Sequence, residues 1–255
     1  GHWYYFLPAN GRMATGFQKL ADGRIVYYNE DGQLQNGNVQ IDGKWYYFDT
    51  KNGNMAHSGL TYDQTTGTLK YFNSDGIRQS GNIVIDGSTY SFDENTGILK
   101  VSGVGEQHIG NNWYLIGNDG KFQVGFQKLA DGRTVYYDPQ TAALVNGERN
   151  IGGYWYYFNV NNGNMATGFT TLPDGRTVYY NDKGQLQIGW RYVDGHWYYS
   201  STTNGQVITG WQTTLSSDGR HTYSYYFSPQ YKYAVTGQQY IDGQWYNFDS
   251  NGRRI

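Results

Sequence analysis

Tyrosine recurs at one fixed place in this chain. Tyr5, Tyr27, Tyr47, Tyr136, Tyr157, Tyr179 and Tyr199 each stand four residues after a turn glycine. Tyr71 and Tyr226 fill the same place where the turn spacing drifts, and the series breaks at Ser91, Leu115 and Asn247. Two of these rings follow a Gln-Lys pair: Gln18 and Lys19 precede Tyr27, and Gln127 and Lys128 precede Tyr136. The chemistry this set offers is recognition of a pyranose. A flat ring matches the apolar C–H face of the sugar, and an amide can both give and accept hydrogen bonds at its hydroxyl rim. Thr170 and Thr171 replace the pair before Tyr179, and Gln212 with Thr213 follows Trp211, so those places depart from it. Gln and Lys on polar turns are also commonly just solvated, and that reading stands beside the first.

One residue further on lies a second ring: Phe6, Tyr28, Phe48, Phe72, Phe92, Tyr137, Phe158, Tyr180, Phe227 and Phe248. It survives in repeats that lose the first. A packing ring should be lost less often than a ligand ring, so the later ring is assigned to packing and the earlier to a binding face. The alternative is that both are core, since aromatic periodicity is commonly packing.

Catalysis finds no comparable constellation. Most Asp residues sit in Asp-Gly turns, where the side chain stabilises the turn. A glycosidase needs two carboxyls facing across a cleft, and the repeats provide no privileged pair. His2, His57, His108, His196 and His221 are scattered, and there is no zinc, calcium or phosphate-loop motif. No metal and no cofactor is expected.

The elements that must hold the rings follow from the period. Closing glycines fall at Gly16, Gly37, Gly59, Gly81, Gly103, Gly125, Gly147, Gly168, Gly189 and Gly210, which is every 21 or 22 residues. So short a repeat means a stacked array. In Ile41–Gly59, the run Trp45–Asp49 favours a strand by ring content, with Trp45 and Tyr47 on one face and Tyr46 and Phe48 on the other. Asn54–His57 reads as its shorter partner strand across Lys-Asn-Gly. Asp-Gly and Asn-Gly pairs, from Asp22-Gly23 through Asp218-Gly219 to Asp242-Gly243, signal type I′ hairpin turns. A lone hairpin is marginal in water, so each must lean on the next. The reading is all-β: a β-solenoid of about a dozen stacked hairpins over 1–255, one array without a closed core, irregular at 62–110 and 216–237.

Neighbouring repeats are not equal. The residue after the closing glycine runs Phe17, Asn38, Leu60, Asn82, Val104, Phe126, Glu148 and Phe169, apolar alternating with polar, before Trp190 and Trp211. A Trp-Tyr-Tyr form and an Asp-Gly-Arg form alternate with it.

Composition agrees. The chain has 27 Tyr, 11 Phe, 8 Trp and 36 Gly but no Cys, so rings dominate the buried surface and no disulfide or thiolate site exists. Net charge is −2, without the basic groove a nucleic-acid binder would add. No apolar run is long enough to span a bilayer. The chain opens and stops near repeat boundaries, which reads as a fragment of a longer protein.

Two segments are specific: Gly-x-Met-Ala-Thr-Gly-Phe at Gly11–Phe17 and Gly163–Phe169, and Ala-Asp-Gly-Arg-x-Val-Tyr-Tyr at Ala21–Tyr28 and Ala130–Tyr137. They resemble the glucan-binding and cell-wall-binding repeats of Gram-positive surface proteins, and most nearly those of glucansucrases (dextransucrase-type glucosyltransferases) of lactic acid bacteria. The resemblance covers nearly the whole chain. It implies a secreted or cell-surface, monomeric, non-catalytic module that binds α-glucan, dextran or isomaltooligosaccharide. It implies pockets between hairpins where Tyr27, Tyr47, Tyr136, Tyr157, Tyr179 or Tyr199 stacks on glucose and Gln18, Lys19, Gln127, Lys128 or Gln212 bonds its hydroxyls. The rival is a choline or teichoic-acid module anchoring to the cell-wall polymer. Its ring cage would fall at Trp190, Trp197 and Trp211.

Overall fold

A computed structural model describes residues 1–215 and 219–255. They divide into two compact units, Gly1–Val145 and Asn146–Ile255. Both are stacks of antiparallel hairpins, and the described residues contain no helix. The all-β, hairpin-solenoid reading holds.

The first unit pairs Gly16–Lys19 with Ile25–Tyr28, Gly37–Ile41 with Lys44–Phe48, Gly59–Asp63 with Thr68–Phe72, Gly81–Ile85 with Ser88–Phe92, Gly105–Ile109 with Asn112–Ile116, and Gly125–Lys128 with Thr134–Tyr137. The second pairs Gly147–Ile151 with Tyr154–Phe158, Gly168–Thr171 with Thr177–Tyr180, Gly189–Val193 with His196–Ser200, Gly210–Leu215 with Thr222–Phe227, and Gly237–Ile241 with Gln244–Phe248.

Three sequence expectations need correction. The partner of Lys44–Phe48 is the preceding strand, Gly37–Ile41, and not Asn54–His57. The later segment adds only the bridge Phe48↔Met55. Its backbone instead reaches the previous hairpin. Met55 N donates to Ile25 O at 2.7 Å, and Leu34, Leu99 and Val207 reach back to Trp3, Leu69 and Thr177 in the same way. These bonds string hairpin to hairpin.

The turns are the second correction. Asp42, Asp86, Asp194 and Asp242 have positive φ, as does the glycine after each, which is the type I′ signature. At Asp22-Gly23, Asp131-Gly132 and Asp174-Gly175 only the glycine does. There the loop is longer, and the Asp carboxylate accepts from the following Arg backbone N–H at 3.0–3.1 Å. An Asx-type bond thus replaces the left-handed residue. The Asp218-Gly219 turn falls partly on 216–218, outside the described residues.

The third concerns the irregular stretch. Gly105, not Gly103, sits opposite the later-ring position, pairing with Ile116. The residue after the closing glycine is therefore Glu106, not Val104, and the apolar–polar alternation breaks there.

Burial matches the packing role given to the later ring except at Phe6, in the first repeat, which is 59% exposed. Phe48, Tyr137, Phe158, Tyr180 and Phe227 are fully buried, and Phe72 and Phe92 are 1% exposed. Each lies opposite a closing glycine, as Phe48 lies opposite Gly37 (φ 73°). Burying such a side chain contributes about 1.5–3 kcal/mol, the stabilisation a lone hairpin lacks.

Candidate functional site between hairpins

The strand period gives each hairpin two ring-bearing faces. On one, the residue after the closing glycine pairs with the earlier tyrosine: Phe17↔Tyr27, Asn38↔Tyr47, Phe126↔Tyr136, Glu148↔Tyr157, Phe169↔Tyr179, Trp190↔Tyr199 and Trp211↔Tyr226. The other carries the later ring and the residue two before it. The first face of one hairpin packs on the second face of the next. Phe17 lies 4.9 Å from Tyr27 and 5.2 Å from Tyr46 by ring centroids, and Phe169 lies 4.8 Å from Tyr179 and 4.7 Å from Tyr198. Trp190 meets Tyr199, Tyr225 and Phe227, and Trp211 meets Tyr226, Tyr246 and Phe248.

The earlier tyrosines divide into two kinds. Tyr27, Tyr136, Tyr179 and Tyr199 are half-buried, and their partners Phe17, Phe126 and Phe169 are exposed. Tyr47 and Tyr157, which face polar Asn38 and Glu148, are buried at 2% and 6% exposure. These two rings offer no open face to a sugar. Tyr47 has become core: its hydroxyl accepts from Gln64 N at 3.1 Å, and burial pushes its pKa up to about 12. The small polar partner lets the next hairpin close over the ring.

The Gln and Lys residues do not gather beside their tyrosines as one cluster. Lys19 shares the face of Phe17 and Tyr27, but Gln18 pairs with buried Val26 on the opposite face. Gln18 donates to Thr15 O at 2.8 Å, and Gln127 donates to Val124 O at 2.9 Å. Lys128 donates to Gly132 O. Gln212 lies opposite buried Tyr225, also on the face away from Trp211. Tying each amide to a local carbonyl spares it an unsatisfied hydrogen bond.

Trp190 and Trp197 stand edge to face at 6.1 Å, within the cluster that includes Tyr199 and Tyr225. At Trp211 the chain itself supplies a cation: the Arg254 guanidinium lies 5.8 Å from Trp211 and 4.8 Å from Tyr246. Arg191 similarly covers Tyr179 at 4.8 Å, and burial lowers its pKa to about 10.

Sequence reasoning missed Tyr46, Tyr198, Tyr225 and Tyr246, which supply the opposing wall. Their signal was present: that place holds Tyr after Trp at Tyr46, Tyr198 and Tyr246 and after Ser224 at Tyr225, against Val26, Val135 and Val178 in the Asp-Gly-Arg repeats. Where rings are missing, space opens. Around Leu115, which replaces the earlier tyrosine, a groove of about 890 Å³ is lined by Glu106, Gln123, Lys128 and Asp131 among others. Glu106 there accepts from Tyr137 Oη at 2.8 Å and from Arg133. Burial first, then this bond to a carboxylate, raises the Tyr137 pKa.

Among the described residues no group of three or more His, Cys, Asp or Glu could hold a metal ion. What the arrangement offers is a series of half-open ring clusters.

Parts of the chain match known repeat families. Residues 14–59 match the family model of the choline-binding repeat, and residues 1–13, 107–122 and 188–206 match that of the cell wall binding repeat. Among solved structures, choline binding protein F from Streptococcus pneumoniae is similar over 100% of this chain and 96% of its own, at 22% identity and TM-score 0.51. CbpJ from the same organism is similar over 99% and 100%, at 22% identity and TM-score 0.53. At that identity the likeness concerns the fold. An alternansucrase in complex with isomaltononaose aligns over 100% of this chain and 23% of its own, at 19% identity and TM-score 0.30, too slight to argue from. No curated protein sequence matches.

Proposed function

We propose that this chain is a non-catalytic carbohydrate-binding array that holds α-glucan in the gaps between successive hairpins. The observation that carries this is the repeated half-open ring pair: Phe17 with Tyr27 and Phe126 with Tyr136, with Phe169 and Tyr179 as a third in which Arg191 lies over the tyrosine ring. An exposed phenylalanine against a half-buried tyrosine gives an apolar wall with a wet hydroxyl, which suits a pyranose. One such contact is weak because few atoms are buried. Several on one polymer raise avidity by about 10²–10⁴. The resemblance to glucansucrase repeats supports the further step. The module serves as the anchor of a secreted or surface-bound glucosyltransferase of a Gram-positive bacterium, keeping the enzyme on its product.

Affinity electrophoresis in dextran gels tests this. The native chain is expected to be retarded in proportion to dextran concentration. Equal mobility with and without dextran would overturn the reading. Tyr27→Ala with Tyr136→Ala is expected to reduce retardation by about tenfold, since each lost pocket removes an intramolecular binding event.

A second reading has a specific observation behind it. Arg254 lies over Trp211 and Tyr246 as a ligand cation would. On that reading a quaternary ammonium such as phosphocholine binds at Trp190 and Trp197, and phosphocholine perturbs those residues while dextran does not.

A further inference from the structure

One groove occurs twice, once in each unit, and none of the earlier tyrosines lines either copy. The first copy, about 300 Å³, is lined by Trp3, Arg24, Leu34, Lys51 and Asn52 among others. The second, about 450 Å³, is lined by Trp155, Arg176, Leu186, Thr203, Asn204 and Glu148 among others. The spacing is the same in both: Trp to Arg is 21 residues (24 − 3; 176 − 155), and Arg to Asn is 28 (52 − 24; 204 − 176). Each groove therefore draws on three successive repeats: a Trp-Tyr-Tyr segment, the Asp-Gly-Arg turn of the next hairpin, and the Asn-Gly turn that follows.

The details also repeat. Arg24 and Arg176 are held by their turn carboxylates, Nε to Asp22 at 2.8 Å and to Asp174 at 2.6 Å. Each donates through Nη1 to the carbonyl of Asn52 or Asn204. The side-chain oxygens of those asparagines accept from Asn54 N at 2.8 Å and Gln206 N at 3.1 Å, leaving the Nδ2 donors for a ligand. The next residues, Gly53 (φ 70°) and Gly205 (φ 74°), press against Leu34 and Leu186. A Cβ on either would meet the leucine at 3.0 or 2.9 Å. Trp3 is 77% and Trp155 50% exposed.

From this geometry we infer that the Trp–Arg–Asn grooves are two further carbohydrate subsites for a neutral pyranose. The indole provides the stacking face, and the guanidinium and asparagine amide donate to ring hydroxyls. Asp22 and Asp174 already balance each guanidinium, so no anion is required. In the second groove Glu148 also pairs with Arg176, at 2.5 Å. The inference rests on the carbohydrate reading above and names where part of the polymer is held.

The test is 19F NMR of the chain labelled with 5-fluorotryptophan, with resonances assigned by Trp3→Phe and Trp155→Phe. On titration with isomaltohexaose the Trp3 and Trp155 resonances are expected to shift, and phosphocholine should leave them unmoved. Trp3→Ala and Trp155→Ala, both at exposed positions, should each lower dextran affinity by between about twofold and tenfold. Dextran retardation with both resonances unmoved would overturn the inference and leave the function standing. Loss of retardation in the native chain would overturn both. A shift of these two resonances on phosphocholine would overturn the assignment of a neutral ligand.

Discussion

Asp63 and Lys70 form the one ion pair among the described residues with both side chains sealed from solvent, at 0% and 5% exposure and 2.7 Å apart. Asn38 of the preceding hairpin completes it, donating to Asp63 and accepting from Lys70. The pair fastens one polar repeat to the next where a ring box would otherwise stand. Burial alone would raise the Asp63 pKa, but bonds from Lys70, Thr65 and Asn38 outweigh it and hold the carboxyl at about 2, below its ordinary 3.8. A depressed pKa stabilises the folded state above pH 3.8, and that stabilisation fades as pH falls through 2. We expect about 2 kcal/mol of acid-labile stability in that window, absent from Asp63→Asn, read by denaturant titration at pH 2 and pH 5. Lys70→Met should cost about 3–5 kcal/mol by stranding a buried carboxylate, and Asp63→Leu added to it should recover much of the loss.

At the scale of the hairpin, the later ring is the packing anchor. Phe48→Ala, at a fully buried site, should cost about 3–5 kcal/mol, measured by equilibrium unfolding. Gly43→Val should destabilise by about 1–2 kcal/mol, because Gly43 has φ 76° in a type I′ turn. The same change at Gly53 would both strain the backbone and displace Leu34. This scale was largely legible in the sequence. Aromatic alternation gave the two faces of Lys44–Phe48, and the periodic glycines gave the repeat. The pairing of Gly37–Ile41 was less legible because its Asn38 and Gln40 carry no strand signal of their own. The hairpin form of the Asp22, Asp131 and Asp174 turns was misread, since an Asx bond there takes the place of positive φ. Tyr47 and Tyr157 could not be told from Tyr27 by their own position. What separates them is the residue across the ladder, Asn38 or Glu148 against Phe17. Cross-strand partners become visible only once the register is known.

At the scale of the whole molecule, each hairpin leans mainly on its neighbours, so stability should behave as a chain of local terms. Lys70→Met should therefore unfold hairpins near Gly59–Phe72 before those around Trp155. Hydrogen exchange would detect this as loss of protection confined to the region of the substitution, whereas uniform loss would indicate one cooperative core. Function follows the same logic, because a site made by one step of the stack can be made again at the next. That repetition explains both the half-open ring pairs and the two Trp–Arg–Asn grooves.

The most direct measurement is a crystal structure of the chain soaked with isomaltohexaose. Glucosyl density is expected in the gaps between successive hairpins, against Phe17 and Tyr27 or Phe169 and Tyr179. Crystals that admit the oligosaccharide but show those gaps empty, or sugar only on outer surfaces away from the rings, would contradict binding between hairpins.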